Sequence, residues 1–121
     1  MPEPHPFRRA AEAKDLELMR EALAEDVVLH SPVLFRGFEG REVVLTVLGH
    51  VVAVLEDFAY VDELAEGDRV VLRFRARVGD RELEGIDYLE LDAEGRVAEL
   101  TVFMRPFSAV TAFNERMSAR L

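Results

Sequence analysis

The stretch RVVLRFRARVGDRELEGIDYLEL, residues Arg69 to Leu91, decides the fold. Gly79 and Asp80 at its centre suit a two-residue hairpin turn, which needs left-handed backbone. Folding the chain there sets Val78 against Arg81, Arg77 against Glu82 and Arg75 against Glu84. The last two are opposite-charge neighbours on one face of the hairpin. The other face pairs Ala76 with Leu83, Phe74 with Gly85 and Leu72 with Asp87. Charge pattern and apolar pattern agree on one register. Strand side chains alternate between faces, so Leu83, Gly85, Asp87, Leu89 and Leu91 all point inward. Asp87 is then a carboxylate on a buried face, beside Leu72 and Leu89. An unpaired charge there is costly.

Outward from the hairpin, the period of two continues on both sides. Phe58 to Leu64 reads as a strand before it, with a turn at Glu66-Gly67-Asp68. After it, Ala93 to Arg96 turn the chain into a further strand, Val97 to Arg105, stopped by Pro106. Earlier in the chain the period is helical. Pro6 suits a first helical turn, and Phe7 to Lys14 follows as a short helix. Asp15 is placed as the N-cap of a second, carrying Leu16, Met19, Ala22 and Leu23. Asp26 to Pro32 is a short strand. Arg41 to Leu55 forms a long helix whose Val44, Leu48, Val51 and Leu55 make a stripe. Its β-branched residues lower its intrinsic propensity, so it needs a sheet to pack on. Ser108 to Arg120 closes the chain as a last helix. This order predicts an α+β fold, a curved sheet built on a four-stranded antiparallel meander with helices gathered on one face.

At 121 residues the chain is expected to be one domain, 1–121. It has no cysteine, so neither disulfides nor thiolate chemistry arise. The start, MPEPHPFRR, has no apolar stretch behind its charges and does not read as a secretory signal. The longest apolar tract, Val43 to Leu55, is broken by Thr46, Gly49 and His50 and falls short of the roughly 20 residues a membrane span needs. A cytoplasmic protein is expected. A net charge of −9 disfavours both nucleic acid and anionic membrane surfaces as partners.

With its elements in this order, the chain resembles the nuclear transport factor 2-like superfamily, and within it the branch of ketosteroid isomerases and SnoaL-like polyketide cyclases. The likeness is concentrated in Phe7 to Leu16, Asp26 to Pro32 and Ile86 to Val97, with EGIDYLELDAEGRVAEL the strongest segment. The resemblance implies a cone-shaped, curved antiparallel sheet with helices on its concave face, and an enclosed pocket for a small apolar molecule. In the isomerases an aspartate before a proline moves the proton. A tyrosine on the first helix and a protonated aspartate on a later strand, kept neutral by its apolar site, donate to the developing oxyanion. Asp87 matches the protonated aspartate. The base position before Pro32 holds Ser31, and the tyrosine position holds Phe7. Steroid isomerisation by that mechanism is therefore not expected. The cyclases, thought to rely on a carboxylate at this strand, fit better, and Asp87 becomes the candidate catalytic acid/base. A structural carboxylate satisfied by a tyrosine or by backbone is the competing reading.

Phe7, Ser31, Tyr60, Leu72, Phe74, Leu89, Leu100, Val102 and Met104 are expected to line the pocket around Asp87. Tyr60 has two placements, inward with its hydroxyl on Asp87, or half-exposed. Phe35 and Phe38 are placed at the mouth. His30 has the wrong parity for the pocket, His50 flanks the long helix's stripe, and His5 lies near a terminus expected to be mobile. None has metal-ligand spacing, so neither metal nor cofactor is expected. Arg105 is expected to meet Glu84 across the strands. On the outer face Val71, Ile86, Tyr88 and Phe103 interrupt the charges with apolar surface, which marks an interaction site, and the resemblance implies a homodimer through that face. Two rival functions remain, a non-catalytic ligand-binding domain and a protein-interaction module using the outer sheet.

Overall fold

A computed structural model describes residues 3–120. The elements run α1 (Pro6–Ala13), α2 (Leu16–Ala22), β1 (Leu23–His30), β2 (Phe38–Glu39), α3 (Arg41–Val54), β3 (Glu56–Glu66), β4 (Arg69–Val78), β5 (Arg81–Leu91), β6 (Val97–Arg105) and α4 (Phe107–Arg120). Among the described residues the fold is α+β, with four helices and a curved, unclosed sheet. The six strands lie in the order β2-β1-β6-β5-β4-β3.

The hairpin forms in the register that its charges and apolar residues dictate. Leu72 pairs with Asp87, Phe74 with Gly85, Arg75 with Glu84 and Val78 with Arg81. β3 and β6 extend it into an antiparallel meander. One departure from an all-antiparallel sheet comes at β1, which joins β6 in parallel with Leu29 opposite Leu100. The sheet is therefore mixed. β2, a two-residue strand, adds to the free edge of β1 with Phe38 opposite Leu29.

Gly85 has a steric reason to be glycine. A Cβ at this position would lie 2.3 Å from the Phe103 carbonyl oxygen and 2.5 Å from a ring atom of Phe74. The missing side chain lets the Phe74 ring lie against the β5 backbone, where it is 1% exposed.

The helices close the inner face. α3 buries Val44, Leu45, Val47, Leu48 and Val54, and α4 buries Ala109, Phe113 and Met117. Asp15 caps α2 by accepting from the backbone N–H groups of Glu17 and Leu18 at 3.1 and 3.2 Å. α1 is tied down more firmly than its place near the chain start suggests. His5 Nδ1 accepts from Phe7 N–H at 3.1 Å, which leaves Nε2–H to donate to the Gly95 carbonyl at 2.9 Å. The His5 backbone N–H and the Arg8 guanidinium both bond Glu63 of β3. His5 is thus a structural clamp rather than part of a mobile end.

On the outer face Glu84 takes Arg73 at 3.1 Å, Arg105 at 2.9 Å and Arg75 at 3.9 Å. Hydrogen bonds from Arg105 and Arg73 hold its carboxyl below the usual range. Arg77 does not join Glu82, its strand partner, but turns to Asp57 at 2.6 Å and Glu56 at 3.3 Å. No helix among the described residues is long and apolar enough to cross a membrane.

Candidate functional site

Asp87 sits mid-strand on the inner face of β5 and is 7% exposed, the one buried charged residue among those described. Its partner comes from the sheet's edge. β3 carries register shifts between Glu56 and Ala59 and between Tyr60 and Asp62, and it places Tyr60 opposite the inward-facing Phe74. The Tyr60 hydroxyl therefore points inward and donates to Asp87 Oδ2 at 2.6 Å. No second side-chain hydrogen bond to this carboxyl occurs among the described residues, so Oδ1 has no side-chain partner there.

The ring of Tyr60 is fixed from several sides. Phe58 meets it edge-on at 4.8 Å, Phe74 meets it edge-on at 6.3 Å, and the Arg8 guanidinium lies over it at 5.9 Å. A tyrosine packed in this way orients the carboxyl it bonds. Burial in these apolar surroundings pushes Asp87 up to about 7, and the Tyr60 hydrogen bond partly opposes that rise. Tyr60 is itself raised well above the usual tyrosine value, first by burial and then by the Asp87 charge. Near neutral pH Asp87 is thus present in both forms. Its acid can donate a hydrogen bond and its carboxylate can accept a proton.

Asp87 and Tyr60 face a cavity of about 220 Å³. The sheet wall also includes Phe74, Leu100, Val102 and Met104, while Phe7 of α1 and Ser31, just past β1, contribute from the chain start. Leu72 and Leu89 do not reach this wall. Both share the inward face with Asp87, but they are 0% exposed and wholly enclosed by the packed core. Inward parity decides the face of a residue, and local packing depth decides whether it meets the cavity.

At the mouth Phe38 lines the cavity, whereas Phe35 is fully exposed in the loop and Val33 and Leu34 stand there instead. The opposite wall comes from α3 and α4, including Val51, Val52, Phe113 and Met117. The α4 contribution was missed in the sequence. Phe113 and Met117, one helical turn apart, were the available signal. His30 lies off the cavity with Nε2 3.9 Å from Glu99, and His50 accepts from Arg120 at 3.1 Å. No group of three His, Cys, Asp or Glu residues suited to a metal ion occurs among the described residues.

A family model for the SnoaL-like domain matches residues 6–100. No curated protein matches the chain. Among solved structures, an uncharacterized bacterial protein with a cystatin-like fold from Silicibacter pomeroyi is 33% identical with a TM-score of 0.91, covering 95% of this chain and 82% of that one. A steroid delta-isomerase from Pseudomonas aeruginosa is 40% identical with a TM-score of 0.89, covering 94% and 85%. A nuclear transport factor 2-like protein from Mesorhizobium loti, 17% identical with a TM-score of 0.73 over 88% and 98% of the two chains, shares the fold alone.

Proposed function

The chain belongs to the SnoaL-like domain family, and on that premise we propose that its cavity binds a small cyclic carbonyl compound anchored by Asp87. The observation that carries this reading is the pairing of Asp87 with Tyr60 at 2.6 Å inside a cavity lined mainly by apolar side chains. A neutral Asp87 donates from Oδ1 to the ligand carbonyl while Tyr60 occupies Oδ2. An ionised Asp87 takes a proton from the carbon beside that carbonyl and returns it to another atom of the same ligand. One carboxyl serves as the whole proton shuttle, which restricts the chemistry to isomerisation or ring closure with no net proton change.

Cavity size sets the scale of the ligand. A dry cavity of about 150 Å³ accepts benzene, so about 220 Å³ suits one or two rings. The steroid-type mechanism is not carried over from the relative. Ser31 stands at the base position and Phe7 at the helix tyrosine position, and neither supplies an acid or a base.

Titration of the ¹³C-labelled protein with acetophenone tests the reading. The Asp87 carboxyl resonance is expected to move with saturation, and Asp87→Ala should abolish the saturable response at the cavity methyls. An unmoved carboxyl in the presence of saturating ketone refutes the anchor.

The same family reading extends to assembly, as a homodimer through the outer face. Val71 lies beside Tyr88 in one row and Ile86 beside Phe103 in the next, with Phe103 57% exposed. A two-fold axis places this patch against itself inside a charged rim. Phe103→Glu should halve the particle mass by light scattering at micromolar concentration. A monomeric wild type would overturn the assembly alone.

A further inference from the structure

The cavity has two charged residues on its wall, and they differ in depth. Asp87 lies buried on the sheet, whereas Lys14 is exposed and so marks the rim. Lys14 is the chain's one lysine, against fourteen arginines. Its backbone is left-handed, with φ 54° and ψ 37°, where it ends α1. The Lys14 and Asp15 N–H groups bond back to Ala11 and Ala10 at 3.1 and 3.0 Å, closing the helix in the manner usually given to glycine. Elsewhere among the described residues positive φ falls on Gly40, Gly67, Gly79 and Gly95, and on one other non-glycine residue, Asp57, at φ 52°. Here it keeps a long cation in a strained position beside an apolar cavity. Such an outlier points from strain to function.

The carboxylates near Lys14 are committed to other partners. Asp15 caps α2 through Glu17 and Leu18 N–H, and Glu12 pairs with Arg8 at 3.6 Å. Lys14 has no ion pair among the described residues, in a chain carrying 24 acidic side chains. The other polar groups on the cavity wall near solvent, Ser31, Asn114 and Ser118, are neutral. We propose that the ligand is bipolar, a one- or two-ring carbonyl compound bearing a carboxylate, with its carbonyl at Asp87 and its carboxylate at Lys14. This rests on the preceding reading of the cavity and adds a class, the cyclic keto acids, to it.

A pair of one-ring ketones separates the two claims. Acetophenone and 4-acetylbenzoate differ by the carboxylate, and each is titrated by NMR into wild type, Lys14→Gln and Lys14→Arg at low ionic strength. The keto acid should bind wild type roughly two- to fivefold tighter than the ketone, the scale of an exposed ion pair. That preference should persist in Lys14→Arg, vanish in Lys14→Gln and shrink with added salt. Equal binding of the two compounds to wild type overturns the bipolar ligand and leaves the Asp87 anchor standing. A preference that survives in Lys14→Gln does the same. Binding of neither compound overturns the cavity reading, and this inference with it.

Discussion

Replacing Asp87 by asparagine should make the protein more stable as the pH rises, by an amount set by how strongly burial disfavours the charge. The carboxyl titrates at about 7 in the folded chain against an ordinary value of 3.8. Between these limits the native state holds a proton that the unfolded chain has released. Stability therefore falls as pH rises through this window and levels off above about pH 7. At 1.36 kcal/mol per unit the full penalty is about 4 kcal/mol, of which roughly 2.6 kcal/mol accrues between pH 5 and pH 8. Asparagine keeps an oxygen for the Tyr60 hydroxyl and never ionises. Urea denaturation of both proteins at pH 5 and pH 8 isolates the effect, because every other titrating group cancels in the difference. The stability of Asp87→Asn relative to wild type should rise by about 2–3 kcal/mol from pH 5 to pH 8. A difference that stays constant across this range would refute a desolvated Asp87. One that falls would mean the native state stabilises the charged form.

Two further substitutions test the supports of the site. Tyr60→Phe removes a hydrogen bond that favours the ionised carboxyl, so Asp87 should titrate still higher, and the stability loss of about 1–2 kcal/mol should be larger at pH 9 than at pH 5; a downward shift by carboxyl NMR sinks this account. Gly85→Ala forces a methyl group onto the Phe103 carbonyl and should cost at least about 3 kcal/mol in denaturation. Adding Phe74→Leu clears the ring but not the backbone, so the double variant should remain unstable, and full rescue would contradict the geometry.

The β4–β5 register was legible because two independent patterns, charge on one face and apolar residues on the other, constrain it around a two-residue turn. That register alone points Asp87 inward. Tyr60 was not decided by alternation, since the bulges in β3 interrupt the parity on which such reasoning depends. The parallel partnership of β1 and β6 leaves no local mark, because neither strand's sequence records its neighbour. Phe35 and Phe38 looked equivalent in the loop; pairing of Phe38 with Leu29 turns one ring toward the cavity and leaves the other in solvent. Position near the chain start says little about His5, because its bonds to Gly95 and Glu63 reach the turn after β5 and the edge strand β3. Leu72 and Leu89 share the inward face, yet only three-dimensional packing separates a core position from a cavity wall.

The parallel seam between β1 and β6 also fixes the order in which this chain becomes a protein. Leu29 waits for Leu100, and the cavity that both line is closed by Phe113 and Met117 from α4. During synthesis the β4–β5 hairpin can form as soon as it emerges, since its contacts are local. The apolar faces of β1 and α3 have no finished sheet to cover them until β6 has been made. Contacts spanning so much of the sequence slow folding and leave apolar surface open to wrong partners in the interval. The cavity should therefore be a late feature of the fold, appearing only once β6 has joined β1 and α4 has packed on α3.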